Sequence, residues 1–138
     1  MAALASRGSP RVTAYVRRPA AALELLRTAE IVGVALEIRP WSECAEGLSA
    51  DVVVSTVPRG VADELAEQVP SAAGTLLDVV YDPWPTALGA AWSAAGGGVA
   101  SGLDVLLHQA VRQVRLMTGL DAPVEVLRAA LLEAANAR

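Results

Sequence analysis

A tyrosine, a glutamine and a pair of arginines are the side chains of this sequence best suited to meet a ligand. Tyr81 stands in the stretch LLDVVYDPWPTALG (Leu76 to Gly89), directly after an apolar run from Leu76 to Val80 interrupted by one acid, Asp78. The chain has two Tyr, three Trp and no Phe, so one Tyr and one Trp in a single proline-rich loop call for an explanation. A phenol at a strand end can donate and accept hydrogen bonds at the lip of a cleft. The alternative is an aromatic plug over the core, which suits Trp84. Arg17 and Arg18 close a second run, RVTAYVR, and the planar fork of a guanidinium can hold phosphate oxygens bidentately; the same residues can equally be solvated charges at a strand end. Farther on, Val105, Gln109 and Arg112 share one face of a helix by their i, i+4, i+7 spacing, where a glutamine meets either a ligand hydroxyl or water.

Other chemistry is excluded. All eleven basic residues are arginine, so no mechanism needing a lysine base or Schiff base is complete within this chain. The one histidine, His108, has a local acid only in Asp104 at i−4, which predicts a surface ion pair rather than acid–base work. Cys44 lies beside Glu43 and near Glu46, a setting that disfavours a thiolate. Asp78 and Asp82 flank Tyr81, but strand alternation and the loop break leave their separation open. With one Cys and one His, no metal cluster of those ligands forms. No catalytic residue and no metal site are assigned.

The elements that must position these groups alternate between strand and helix. Met1 to Ser6 reads as helix closed at Arg7-Gly8, and Arg11 to Arg17 as a strand. Pro19 suits the first turn of a helix over Ala20 to Val32, ended by Gly33, with Leu23, Leu26, Ala29 and Ile31–Val32 on its buried side. Val34 to Arg39 predicts a strand stopped by Pro40, and Trp41 to Leu48 a short helical or irregular piece. Asp51 to Val57 reads as a strand buried on both faces. Pro58-Arg59-Gly60 turns into a helix from Val61 to about Gln68. Gly74 to Val80 is the next strand, Thr86 to Ala95 a helix, and Gly96 to Ala100 holds a very short strand. Helices over Leu103 to Met117 and Pro123 to Ala135 complete the chain. Leu103, Leu106, Leu107, Ala110, Val111 and Val114 make the core stripe of the first, and Met117 and Trp92 read as core. This alternation predicts an α/β fold with a mostly parallel sheet.

At 138 residues the chain is one domain's worth. A hydrophobic fraction of 54% and a charged fraction of 19% are those of a globular protein. A net charge of −4 argues against nucleic acid as a partner. No apolar run reaches the roughly 18 residues of a membrane span, and the N-terminus lacks a signal-peptide core. The expectation is a cytoplasmic protein without a membrane partner. The chain has no GxGxxG and no P-loop.

Four ordered stretches resemble shikimate dehydrogenase, specifically its C-terminal NADP-binding domain. VTAYVRRP is similar to that family's second-strand Asn-Arg-Thr motif, with Val16 in the asparagine's place, Arg17 keeping the arginine and Arg18 where threonine is usual. DVVVSTVPRGV resembles the Asn-Ala-Thr strand end, here Ser55, Thr56 and Val57. DVVYDPWPT resembles Asp-x-x-Tyr-x-Pro-x-x-Thr, and SGLDVLLHQA resembles Gly-Leu-x-Met-Leu-x-x-Gln-Ala.

The resemblance implies a Rossmann-like partial NADP-binding domain over residues 1–138, with C-terminal helices in 102–138. It implies that Arg17, with Arg18, holds the ribose 2′-phosphate of NADP and that Ser55, Thr56 and Val57 pass beneath the cofactor. Val79, Gly102 and Val105 would meet the nicotinamide; Tyr81 and Gln109 would meet the substrate. The implied reaction is reversible NADPH-dependent reduction of 3-dehydroshikimate to shikimate, in aromatic amino acid biosynthesis. In the family a lysine and an aspartate of an N-terminal substrate domain act on the reacting hydroxyl.

Neither that domain nor the first strand with its glycine loop is in this sequence. The expectation is therefore a truncated chain with Met1 an internal start, inactive alone and binding shikimate or 3-dehydroshikimate only with the missing domain. The first strand is the central one of a Rossmann sheet. Without it the strands at Arg11 and Asp51 are left with unpaired edges that favour homo-oligomers, or else they close up and pair with each other. Two alternatives remain: a quinate dehydrogenase or glutamyl-tRNA reductase-like NADP domain, and a non-catalytic α/β binding module.

Overall fold

Every strand pairing among the described residues joins strands consecutive in the chain, across a helical or 3-10 connection. A computed structural model describes residues 1–9, 11–18, 20 and 22–136, and the chain divides into two compact units, Met1–Leu48 and Ser49–Arg138.

In the first unit, helix α1 (Ala2–Ser6) ends at Arg7 and at Gly8, whose φ of 84° is a left-handed closure that glycine adopts without strain. Strand β1 (Arg11–Val16), helix α2 (Ala22–Val32) and strand β2 (Ala35–Pro40) then form a βαβ unit. β1 and β2 pair in parallel from Arg11↔Ala35 to Val16↔Pro40. The expected Pro19 start of α2 lies outside the described residues. Its expected buried side holds at Ala29 and Val32 and needs correction elsewhere. Leu23, Leu26 and Ile31 are exposed, Ile31 by 84%, whereas Ala22, Leu25, Ala29 and Val32 are buried or half-buried. That set is itself spaced at i, i+3, i+7, i+10, so two apolar stripes competed for the helix and the neighbouring one faces the sheet. A 3-10 segment, Trp41–Ser49, follows β2. A Cβ at Gly47 would strike the Tyr15 ring, so this segment lies directly on β1.

The second unit carries β3 (Val52–Ser55), a 3-10 segment (Asp63–Gln68), β4 (Thr75–Asp78), α3 (Ala87–Ala94), β5 (Gly98–Ala100), α4 (Gly102–Thr118) and α5 (Val124–Asn136). Its three strands are parallel in the order β3-β4-β5. Leu76, Leu88, Trp92 and Leu107 form the fully buried centre, and Trp92 also donates its indole N–H to the Gly74 carbonyl at 3.1 Å.

Two expectations fail in this unit. β3 is not buried on both faces: Val52 and Val54 are 47% and 44% exposed while Val53 and Ser55 are half-buried. A short apolar run alone does not distinguish one covered face from two. Met117, read as core, is 84% exposed on the last turn of α4, and Leu106 is 40% exposed. Of the two arrangements expected for β1 and β3, open ends are the one seen among the described residues, each strand ending its own sheet.

Candidate functional site

In the second unit, the carboxyl end of β4 and the amino end of α4 gather three of the predicted residues. Gly102 opens α4, and its N–H donates to the Val80 carbonyl at 3.3 Å. A Cβ added there would collide with the Val79 carbonyl and come within 3.2 Å of the Tyr81 ring, so only glycine allows this approach. Gly102 thus lies against the Val79 carbonyl and beside the Tyr81 ring. Tyr81 is 39% exposed and Val79 36%, a half-open pair at a sheet's carboxyl edge, where ligands of open α/β sheets bind. Val105 and Gln109 follow one and two turns along α4 and are both exposed, as is Arg112.

The start of α4 is held firmly. Ser101 and Asp104 form a reciprocal capping box. The Asp104 Oδ2 accepts from the Ser101 N–H and hydroxyl, each at 2.9 Å, and Arg128 from α5 approaches Oδ1 at 3.5 Å. Hydrogen bonds from Ser101, the backbone one foremost, with help from Arg128, hold the Asp104 carboxyl below the usual carboxylate range against the opposing effect of desolvation. The predicted ion pair with His108 is corrected accordingly: Asp104 pairs with Arg128, because α5 brings a permanent cation to it.

The loop between β4 and α3 is anchored by Asp78, which is buried. Its Oδ2 accepts from the Thr86 hydroxyl at 2.9 Å and its Oδ1 from the Val80 N–H at 3.2 Å. Asp82 is exposed, so the two acids share no site. Trp84 lies over the first turn of α3, 3.3 Å from a Cβ position at Gly89, but is 38% exposed, so it covers that turn only in part. Ser55 ends β3 in register with Asp78, and its buried Oγ has no hydrogen-bond partner among the described residues. Thr56 is exposed just beyond it, and Val57 is half-buried beside Ser55 on a small cavity that Asp78, Thr86 and Arg59 also line.

The first unit has its own concavity at the carboxyl ends of β1 and β2. It measures about 490 Å³ and is lined by Val16, Arg17, Ala22, Ile38, Arg39, Pro40, Trp41 and Ser42. Its size falls within the range of small-ligand pockets. Arg17 is exposed on its rim; Arg18 is exposed but does not line it. Sequence reasoning missed Trp41 and Arg39. Arg39 is bound to Glu43 at 2.6 Å, to Glu46, and more loosely to Glu37 at 3.9 Å. The hydrogen bond to Glu46 is the largest of the effects that push its pKa up. The i, i+4, i+7 spacing of Arg39, Glu43 and Glu46 is the pattern that could have revealed the clamp. With its charge so occupied, Arg39 leaves Arg17 as the cation on this rim that is able to take a phosphate.

Parallel strands, helical crossovers and ligand-ready groups at the strands' carboxyl ends define the Rossmann-like class of dinucleotide-binding domain. Similarity to known proteins narrows that class. The family model of the shikimate 5′-dehydrogenase C-terminal domain matches residues 102–132. The NADP(+) shikimate dehydrogenase of Oleidesulfovibrio alaskensis is 34% identical over 97% of this chain and 49% of its own length. The crystal structure of Mycobacterium tuberculosis shikimate dehydrogenase is 42% identical with a TM-score of 0.84, over 94% of this chain and 50% of that one. Quinate dehydrogenase from Corynebacterium glutamicum, in complex with NAD, is 26% identical with a TM-score of 0.83, covering 96% and 49%. The chain is similar to the C-terminal portion of shikimate dehydrogenases. It spans about half the length of that curated relative. Among the described residues no helix is long and apolar enough to cross a membrane.

Proposed function

We propose that this chain is the NADP-binding half of a shikimate dehydrogenase, acting in NADPH-dependent interconversion of 3-dehydroshikimate and shikimate. The observation that carries the reading is the close approach of Gly102 to the Val79 carbonyl and the Tyr81 ring, in a chain 34% and 42% identical to two shikimate dehydrogenases. The residues present fit the cofactor. The first unit offers a concavity of about 490 Å³ with Arg17 on its rim, and the second a glycine where any side chain would fill the approach to Val79.

When bound, the nicotinamide cofactor supplies or accepts the hydride. Arg17 holds the ribose 2′-phosphate through its guanidinium fork, with Arg18 adding charge nearby. Ser55, Thr56 and Val57 line the path of the cofactor at the end of β3. Val79, Gly102 and Val105 bound the nicotinamide, while Tyr81 and Gln109 offer hydrogen bonds to ring hydroxyls of the substrate. The chain has no lysine, so it performs no turnover alone, and the proton-transferring groups come from a separate substrate domain. β1 and β3, each ending its sheet, make the chain self-associate as its concentration rises.

Calorimetric titration with NADPH and NADH tests the reading. NADPH is expected to bind more tightly, and Arg17→Ala to reduce the preference by about tenfold or more, in line with loss of charge-assisted hydrogen bonds. Equal affinity of the unaltered chain for both cofactors removes the role given to Arg17.

A further inference from the structure

The segment that carries Tyr81 is tied at both ends to a single carboxylate. Asp78 is 2% exposed, and an acid so deeply placed in an apolar strand is costly unless its oxygens are bonded. Both are: one receives the Val80 N–H and the other the Thr86 hydroxyl. Thr86 Oγ1 in turn accepts from the Gly89 N–H at 3.0 Å as the N-cap of α3. Residues 79 to 85 therefore leave β4 and re-enter the fold at α3 under the control of one side chain. Packing alone gives no reason for an acid at position 78, since its strand neighbours Leu76 and Leu77 are apolar and Leu76 is fully buried. A leucine there would satisfy the core and leave both loop ends unbound.

We propose that Asp78 is a positioning residue for Tyr81, acting through Thr86 and the Val80 amide to fix the tyrosine against Gly102. The proposal rests on the reading of Tyr81 as a substrate-facing residue. Its structural part, however, is testable with no cofactor present. Asp78 touches no ligand in this scheme; it sets the ring that does.

The chain contains two tyrosines, Tyr15 and Tyr81, so this 138-residue chain labelled with 3-fluorotyrosine gives two fluorine resonances, and Tyr81→Phe assigns them. Thr86→Val removes the hydroxyl at nearly constant shape, and Asp78→Asn keeps the size while disturbing the acceptor pair. Both are expected to shift or broaden the Tyr81 resonance and leave that of Tyr15 in place. Thr86→Ser, which keeps the hydroxyl, is expected to restore it. A Tyr81 resonance unmoved in Thr86→Val overturns the proposal. So does collapse of both resonances together in Thr86→Val, which marks a general structural role, or failure of Thr86→Ser to restore the line. NADPH titration of the same samples reads the proposed function separately, so loss of either reading is told apart from loss of the other.

Discussion

The two units of this chain are built on different materials. Met1–Leu48 buries Ala29, Val34 and Leu48, whereas Ser49–Arg138 buries Ala62, Leu65, Leu76, Leu88, Trp92 and Leu107 and adds two buried polar anchors, Asp78 and Ser101. The first unit instead carries the densest ion cluster among the described residues, Arg39 with Glu37, Glu43 and Glu46. Burial is worth about 1.5–3 kcal/mol per large apolar side chain, while exposed ion pairs add little. Tyr81 thus stands on a cored platform, and Arg17 on a light one.

Leu76→Ala is the strongest challenge to that contrast. It is expected to cost about 2–5 kcal/mol in urea denaturation, whereas Ile31→Ala in the first unit is expected to stay within about 0.5 kcal/mol. Comparable losses at both positions would erase the difference between the units. Gly102→Ala follows, with an expected loss of about 1–3 kcal/mol from overpacking against the Val79 carbonyl, read by the same denaturation. Arg39→Ala should have a smaller effect, and one that salt diminishes further; a large, salt-independent loss would show that the first unit depends on its clamp.

The smallest effect is pH-dependent. Asp104 has a folded pKa below its unfolded value, so its contribution is present above roughly pH 4 and is lost as pH falls through the folded pKa. Asp104→Asn should flatten the acid limb of the stability profile, as monitored by circular dichroism.

Much of this architecture was legible in the residues. The strand–helix alternation located every strand to within about three residues at each end, and the Asp-x-x-Tyr and Gly-Leu-x-x-Leu stretches pointed to groups that now lie together at Val79, Tyr81 and Gly102. Burial was read less well. Two apolar stripes on α2 were equally periodic, and only packing chose the one through Leu25 and Ala29. On α4, Met117 continued the apolar composition but fell on the last turn, beyond the reach of the core. The Asp78–Thr86 bond was missed because its partners are eight residues apart across a loop, a spacing that no helical or strand period marks. Trp41 and Arg39 escaped notice because the concavity they line is formed by a strand end and a 3-10 turn, neither of which announces a pocket in its pattern.

The central claim of the proposed function is that Arg17 in the first unit meets the 2′-phosphate of NADP and that Val79, Tyr81 and Gly102 in the second meet nicotinamide and substrate. Amide chemical-shift mapping tests it directly, and it tolerates weak binding. NADPH is predicted to perturb residues 16–18 and 41–42 in the first unit and 79–81 and 102–109 in the second, while 2′,5′-ADP, which lacks the nicotinamide, perturbs the first set alone. Perturbation of neither set by NADPH, or of the second set by 2′,5′-ADP, would contradict the account.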